Sequence, residues 1–419
     1  MNHNRTINNR NIERGGILSA LVLACLFTIS PLAAETQNRI SSGYDSFIDR
    51  YTVLENDTTE SLNEYYLNMT NRFSGGLMGI NSNFRNSLKF GNQTVDERFR
   101  MSLELSGESS FEVRLETDFY LKNFREGSDY SFSNNYRQLN TSLKIGRKLS
   151  DNLRIRSRTR FELTDYDDHT SFDYDYNYMD TGVECDIGSI LGNTLRAVAS
   201  FGVCEAPDTT ELSYDRNIFE ISTYLGSWGS AGLDMTISAD RRDYQGDSRP
   251  SSWLIMSYSK MSLKNDGKFN FAFLLDGESY VYDTSDQLYF NSHFIRGGAE
   301  FSVTVGERSE ISFQPRYARL LCGQMQEERY SEYSIIASYD LMYGSGYWFT
   351  FSYEPGYRAY QVEDIYSNFY LNRISLMGSV SFLENYTADL FIMHDPEKHS
   401  RRGDDFSITM ISASISRGF

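Results

Sequence analysis

The sequence has no long apolar run beyond its first thirty or so residues. That excludes a helical membrane protein, which needs about 20 consecutive apolar residues for each span. Cysteine is scarce: Cys25 lies in the N-terminal apolar run, and Cys185, Cys204 and Cys322 are irregularly spaced. Three such residues make no disulfide framework, and Cys185 and Cys204 fall in poor register for pairing on neighbouring expected strands. Proline occurs only 6 times, and no linker-like composition appears after residue 65, so one continuous domain is expected from 65 to 419. Basic residues are outnumbered 40 to 57, and the net charge of −17 argues against nucleic acid as a partner. After residue 34, histidine occurs only at 169, 293, 394 and 399. No metal-binding histidine pair, nucleophile elbow or phosphate loop is present, so neither a metal nor a cofactor is expected.

The N-terminus reads as an export signal. Arg5, Arg10 and Arg14 precede the mostly apolar stretch Ile17 to Ile29, and Pro31-Leu32-Ala33-Ala34 offers small residues for cleavage after Ala34. That order matches a secretory signal peptide over 1–34. A lipoprotein signal, with Val22-Leu23-Ala24 before Cys25, is the competing reading; the bulky Leu23 and the apolar residues after Cys25 weigh against it.

What is present is alternation. In Phe99-Arg100-Met101-Ser102-Leu103-Glu104-Leu105, apolar and polar residues take strict turns. Phe111, Val113, Leu115, Phe119 and Leu121 enclose Glu112, Arg114, Glu116 and Asp118 in the same way. Leu153, Ile155, Phe161 and Leu163 alternate with Arg154, Arg156, Arg158, Arg160 and Glu162. Period two is the mark of a strand with one apolar and one polar face. A mean hydropathy of −0.48 with 15% aromatic residues suits a sheet in which only alternate residues meet lipid.

The connections come in two kinds. Short ones fall at 106–109, 149–152, 188–193, 226–229, 264–267, 306–308, 343–346 and 383–385. Longer polar ones fall near 123–134, 164–173, 205–212, 241–250, 281–288, 322–329, 360–367 and 394–404. The short turns recur about every 40 residues, a spacing shared with β-propellers, but two long strands per period and a missing WD signature argue against that fold. Eight short turns join sixteen strands, Phe406–Gly418 adds one, and an even total needs another before Gly91, around Phe84, Asn86, Leu88 and Phe90. The expectation is an all-β, closed, antiparallel, transmembrane up-and-down β-barrel of about 18 strands, with 16 as the smaller count. Residues 35–64 show no clear pattern and are expected as a short periplasmic extension or plug.

Ile411, Ala413, Ile415 and the terminal Phe419 share one face of the last strand. This resembles the closing strand of Gram-negative outer-membrane barrels of the porin-like superfamily. The resemblance implies an outer-membrane location, lipid around the wall, recognition of that strand by the barrel-assembly machinery, and a homo-oligomer of the trimeric kind usual in porins. Arg417 departs from the pattern, which has an apolar or aromatic residue there.

A barrel of this size leaves an aqueous lumen. Its expected lining includes Arg98, Arg100, Glu104, Glu112, Arg114, Glu116, Asp118, Arg154, Arg156, Arg158, Arg160 and Glu162. Two readings stand side by side: a charged path that orients small hydrophilic solutes, or pairs that hold the wall at roughly 0.2–1 kcal/mol each. The corresponding functions are a porin-like channel, or a non-channel barrel in assembly, secretion or adhesion. The acidic stretch Asp165 to Asp175 lacks the glycine and terminal glutamate of a calcium loop and reads as a solvated loop. Tyr166, Tyr174, Tyr343, Tyr347, Tyr357 and Tyr366 are expected in interfacial aromatic girdles. His394 and Asp395 are neighbours on a strand, so they point to opposite faces and form no acid–base dyad; no enzyme is expected.

Overall fold

A computed structural model describes residues 35–53, 56–77, 80–106, 110–125, 134–168, 173–188, 193–228, 231–246, 249–264, 268–344 and 346–419. The expected signal peptide over 1–34 lies outside the described residues, as does Cys25. The strands are β1 Glu35–Val53, β2 Asn56–Leu77, β3 Ile80–Gly91, β4 Thr94–Ser106, β5 Phe111–Phe124, β6 Tyr136–Ser150, β7 Leu153–Tyr166, β8 Tyr176–Gly188, β9 Thr194–Glu205 and β10 Tyr214–Trp228. They continue as β11 Ala231–Tyr244, β12 Ser252–Lys264, β13 Phe269–Tyr282, β14 Ser292–Val305, β15 Ser309–Cys322, β16 Tyr330–Tyr343, β17 Tyr347–Tyr360, β18 Phe369–Phe382, β19 Tyr386–His399 and β20 Phe406–Gly418.

Each strand pairs antiparallel with its successor, and β20 pairs back onto β1 from Tyr51 opposite Phe406 to Arg39 opposite Gly418. Closure leaves no row of unpaired backbone groups, which lipid could not satisfy. Asn38 and Phe419 exchange both backbone hydrogen bonds at 2.9 and 3.1 Å, sealing the seam at its lower end. Among the described residues the sheet has 20 strands. With about 4.8 Å between strands and a tilt of about 40°, such a barrel is about 40 Å across its backbone.

The expected sixteen strands are β4 to β19, and the strands expected on either side are β3 and β20. The two further ones are β1 and β2, so the count is 20 where about 18 was expected. Residues 35–53 and 56–64, expected as an extension or plug, lie in the wall: β1 and β2 pair from Glu35 opposite Ser74 to Val53 opposite Asn56. The outward positions of β1 dilute the apolar pattern with Ser42 and Ser46. Tyr44 and Ser46 there donate hydrogen bonds to Asn63 at 2.7 and 2.9 Å. Polar contacts hold this hairpin where the other strands show lipid-type residues.

Glu35, Phe419 and most short turns share one end of the barrel; the longer loops lie at the other, together with the two-residue connections 54–55 and 92–93. Outward positions are apolar and exposed, as with Phe219, Ile221, Ile237, Ile255, Phe273 and Leu275. Most strands have 12 to 15 residues, more than the about 9–11 needed to cross the hydrocarbon. Pro315, Pro355 and Pro396 lie inside β15, β17 and β19, and the pairing skips beside each, because proline brings no N–H to the ladder.

Candidate functional site

Cross-strand partners share a face, so register decides which charges meet. Arg100 stands opposite Asp118, Glu104 opposite Arg114, Glu116 opposite Ser142, and Asp118 opposite Asn140. The row Arg154, Arg156, Arg158 and Arg160 faces Lys148, Gly146, Lys144 and Ser142 on one side. On the other side it faces Asp186, Glu184, Gly182 and Asp180. All twelve expected charges therefore lie on the face opposite the apolar one, on β4, β5 and β7.

Arg156 reaches furthest across this face. Its guanidinium passes over Gly146 to reach Glu112, two strands away, at 2.6 Å, and meets Glu184 at 2.5 Å as well as Asp186. A side chain at 146 would collide with Glu112 at 2.7 Å, so glycine keeps the passage open. Arg154 lies 3.5 Å from Glu112, Arg158 lies 3.8 Å from Asp180, and Arg160 pairs with Glu162. Glu162 also accepts hydrogen bonds from Tyr176 at 2.6 Å and Gln138 at 3.0 Å. Arg98 and Arg100 share Asp118 at 2.5 and 3.0 Å, and Arg114 pairs with Glu116 at 2.7 Å. The arginine row is thus matched by carboxylates on its flanks.

Several groups of this wall were missed in the sequence. Asp180, Glu184 and Asp186 alternate on β8 with Met179, Val183 and Cys185, a signal interrupted on its polar face by Gly182. Arg196 pairs with Glu184 at 2.8 Å, and Arg216 pairs with Asp240 at 2.7 Å, carrying the network round to β11. Arg39, Arg72 and Arg85 line the lower wall on β1, β2 and β3. They were obscured by the weak patterns of residues 35–64 and by Gly75, Gly76 and Gly79.

The tyrosines divide between the faces. Tyr343, Tyr347 and Tyr357 face outward, as expected for a girdle. Tyr166 instead stands opposite Tyr136 on the inner face, with rings 5.5 Å apart. Parity explains it: Leu163 and Asp165 face outward, so Tyr166 faces in. Tyr120–Tyr136, Tyr214–Tyr244 and Tyr330–Tyr360 are further inward pairs at 5.2–5.7 Å, all near the long-loop end. Tyr366 stacks on Tyr360 at 5.2 Å, and Tyr174 lies 6.1 Å from Tyr176. Inside the mouth, Arg98, Arg216, Arg242 and Arg358 lie over tyrosine faces.

His394 and Asp395 separate as their alternation requires. His394 Nδ1 lies 2.9 Å from the Thr409 hydroxyl outside, and Asp395 accepts from Arg373 at 2.6 Å inside. Ser367, His399 and Glu397 do come together, with Ser367 Oγ 3.0 Å from His399 Nδ1 and His399 Nε2 3.4 Å from Glu397. Ser367 is fully buried and donates its proton to Asp404 at 2.6 Å, which makes the cluster a pin between two loops. In the acidic loop, Asp165 and Asp167 pair with Arg137 at 3.2 and 3.3 Å. Among the described residues no group of three acidic, histidine or cysteine side chains is placed to hold a metal ion. Cys185 faces outward and Cys204 inward, and with Cys322 they are free thiols.

No protein-family model and no curated protein sequence matches this chain. Solved structures do. The siderophore receptor PirA from Pseudomonas aeruginosa aligns with a TM-score of 0.54 at 8% identity, over 91% of this chain and 80% of that one. OccK2 (OpdF) from the same organism aligns at 0.52 and 10%, over 93% and 99%. OccK2 was also solved with glucuronate, and that structure aligns at 0.51 and 10%, over 93% and 99%. The closed sheet with one polar face is a large antiparallel β-barrel, a fold it shares with the outer membrane protein opdK and the siderophore receptor PirA. Solved proteins of two kinds share it, OccK2 and the outer membrane protein opdK on one hand and siderophore receptors on the other.

Proposed function

We propose that this protein is an outer-membrane channel for passive passage of small hydrophilic solutes. The observation that carries the reading is width: 20 strands enclose more space than wall side chains can fill. Every described residue belongs to the wall or its connections. The charges on β4, β5, β7 and β8 line the water path in this reading and bias which solutes pass. The likeness to OccK2, a protein solved with glucuronate, supports a solute-passing barrel. No catalytic role is assigned to any residue.

Ile411, Ala413, Ile415 and Phe419 are proposed as the signal for the barrel-assembly machinery, since all four lie on the outward face of β20. Arg417, on the same face, stacks over Tyr386 at 5.4 Å, a position suited to the membrane interface.

Recording from the refolded protein in planar bilayers tests the channel. Stable, ohmic steps in potassium chloride are expected. A barrel closed to ions at every voltage would reject the channel and favour the second reading, a non-channel barrel, for which the likeness to siderophore receptors speaks.

A further inference from the structure

Near the short-turn end, the inner wall of β1–β6 forms an open bay of about 1090 Å³. Arg72 on β2 stands directly opposite Arg85 on β3, and Arg85 directly opposite Arg100 on β4. Three guanidinium groups therefore sit side by side across about 10 Å of sheet, at about 4.8 Å per strand. Like charges directly opposite one another destabilise a sheet. The β7 arginine row, by contrast, has carboxylates on its β8 flank, although Lys144 and Lys148 stand on its other side. Here, among the described residues, Arg72 and Arg85 have no carboxylate within ion-pair distance, and Arg100 shares Asp118 with Arg98. Arg39 lies beside them, its own partner Asp389 at 3.6 Å. All of these side chains are exposed to the bay; Asn83 and Asn140 add neutral amides to its lining, and the carboxylates there, Glu116 and Asp118, are paired with Arg114 and with Arg98 and Arg100. In a chain of net charge −17, two adjacent unmatched cations facing an open cavity are a charge imbalance that a ligand would correct.

We infer that this bay binds a compact dianionic oxyanion: phosphate, or the phosphoryl group of a small solute. Guanidinium forks match such oxygens in pairs, and two adjacent forks meet a tetrahedral dianion better than a single carboxylate. The inference rests on the lumen being water-filled, as the channel reading holds, because the ligand reaches the bay from that side.

Inorganic phosphate is the probe, followed by 31P line broadening on the full protein refolded in octyl glucoside. Saturable binding is expected for the native protein, weakened at least about tenfold by R72A/R85A. Acetate should compete poorly. The paired lysine variant R72K/R85K keeps the charge and loses the fork, and it should also bind more weakly. Equal binding by the lysine variant, or equal competition by acetate, would reduce the bay to general attraction and overturn the inference. Absence of saturable binding in the native protein would do the same. Without phosphate, R72A/R85A should resist urea at least as well as the native protein, since it removes repulsion; a lower midpoint would show that the arginines support the wall and would also overturn it. Bilayer recordings on the same samples keep the two readings apart. Lost conductance in both proteins, with binding intact, counts against the channel alone.

Discussion

Arg156 contacts three carboxylates from two other strands, and it carries more of the wall than its neighbours in the row. Glu184 beside it is nearly buried, at 9% side-chain exposure, and without Arg156 it keeps only Arg196 as a cation. Breaking a buried pair from one side costs about 3–5 kcal/mol, and partial hydration of Arg156 places Arg156→Ala near the lower end. A fall in urea midpoint, read by tryptophan fluorescence in lipid vesicles, checks this. Exposed pairs such as Arg114–Glu116 should cost under about 1 kcal/mol when broken. Glu363, in the loop after β17, offers a pH test. The Ser400 hydroxyl at 2.7 Å and the Asn368 backbone N–H hold its carboxyl below the usual glutamate range, helped by nearby Arg401. A lowered folded value means the tie contributes stability above the unfolded value and is lost as pH falls through the folded one. Amide exchange in 361–368 and 400–405 should therefore rise on acidification below the usual carboxylate range, and Glu363→Gln should abolish that contribution.

A strand here has two solvents, and one-residue shifts in position exchange them. Ile237 is exposed on the outer face at the middle of β11, and Ser238 faces inward opposite Glu220 and Met256. Ile237→Arg should destabilise by about 2–4 kcal/mol, the cost of a cation near the midplane. Ser238→Arg should fold with nearly native stability and shift ion selectivity toward anions, as reversal potentials would show. The turn between β18 and β19 stores a smaller strain. Leu383 and Glu384 both adopt left-handed backbone, at φ of 48° and 51°, where residues with a Cβ are disfavoured by about 1–2 kcal/mol. The comparable turns at Gly306 and Gly344 use glycine for positive φ. Glu384→Gly should raise the urea midpoint in vesicles, by about 1 kcal/mol of stability.

At the scale of the molecule, closure is the decisive interaction, and it runs through the segment whose pattern is faintest. β1 pairs on one side with β2 and on the other with β20. Deleting residues 35–53 should leave two edges in lipid and prevent stable folding, measured as loss of β-sheet circular dichroism after refolding into vesicles. A plug in that position would behave oppositely, its removal leaving a folded barrel with larger conductance.

The alternation of Phe99–Leu105, Phe111–Leu121 and Leu153–Leu163 made the barrel class legible from sequence, because lipid and water impose opposite demands on successive side chains. Turn spacing likewise located the sixteen strands β4–β19, since short connections on one side must punctuate a meander. The presence of charge along β5 and β7 was equally plain, for period two assigns faces without any knowledge of neighbours. Only the tertiary structure decided which charges meet. Register is a relation between strands, so the clamp of Arg156 by Glu112, Glu184 and Asp186, and the alignment of the unmatched Arg72 and Arg85 with Arg100, are invisible along a single strand. The count of 20 was decided there too, because β1 belongs to the wall through its pairing with β20, from the far end of the chain, and its own alternation of isoleucine with serine says little about oil.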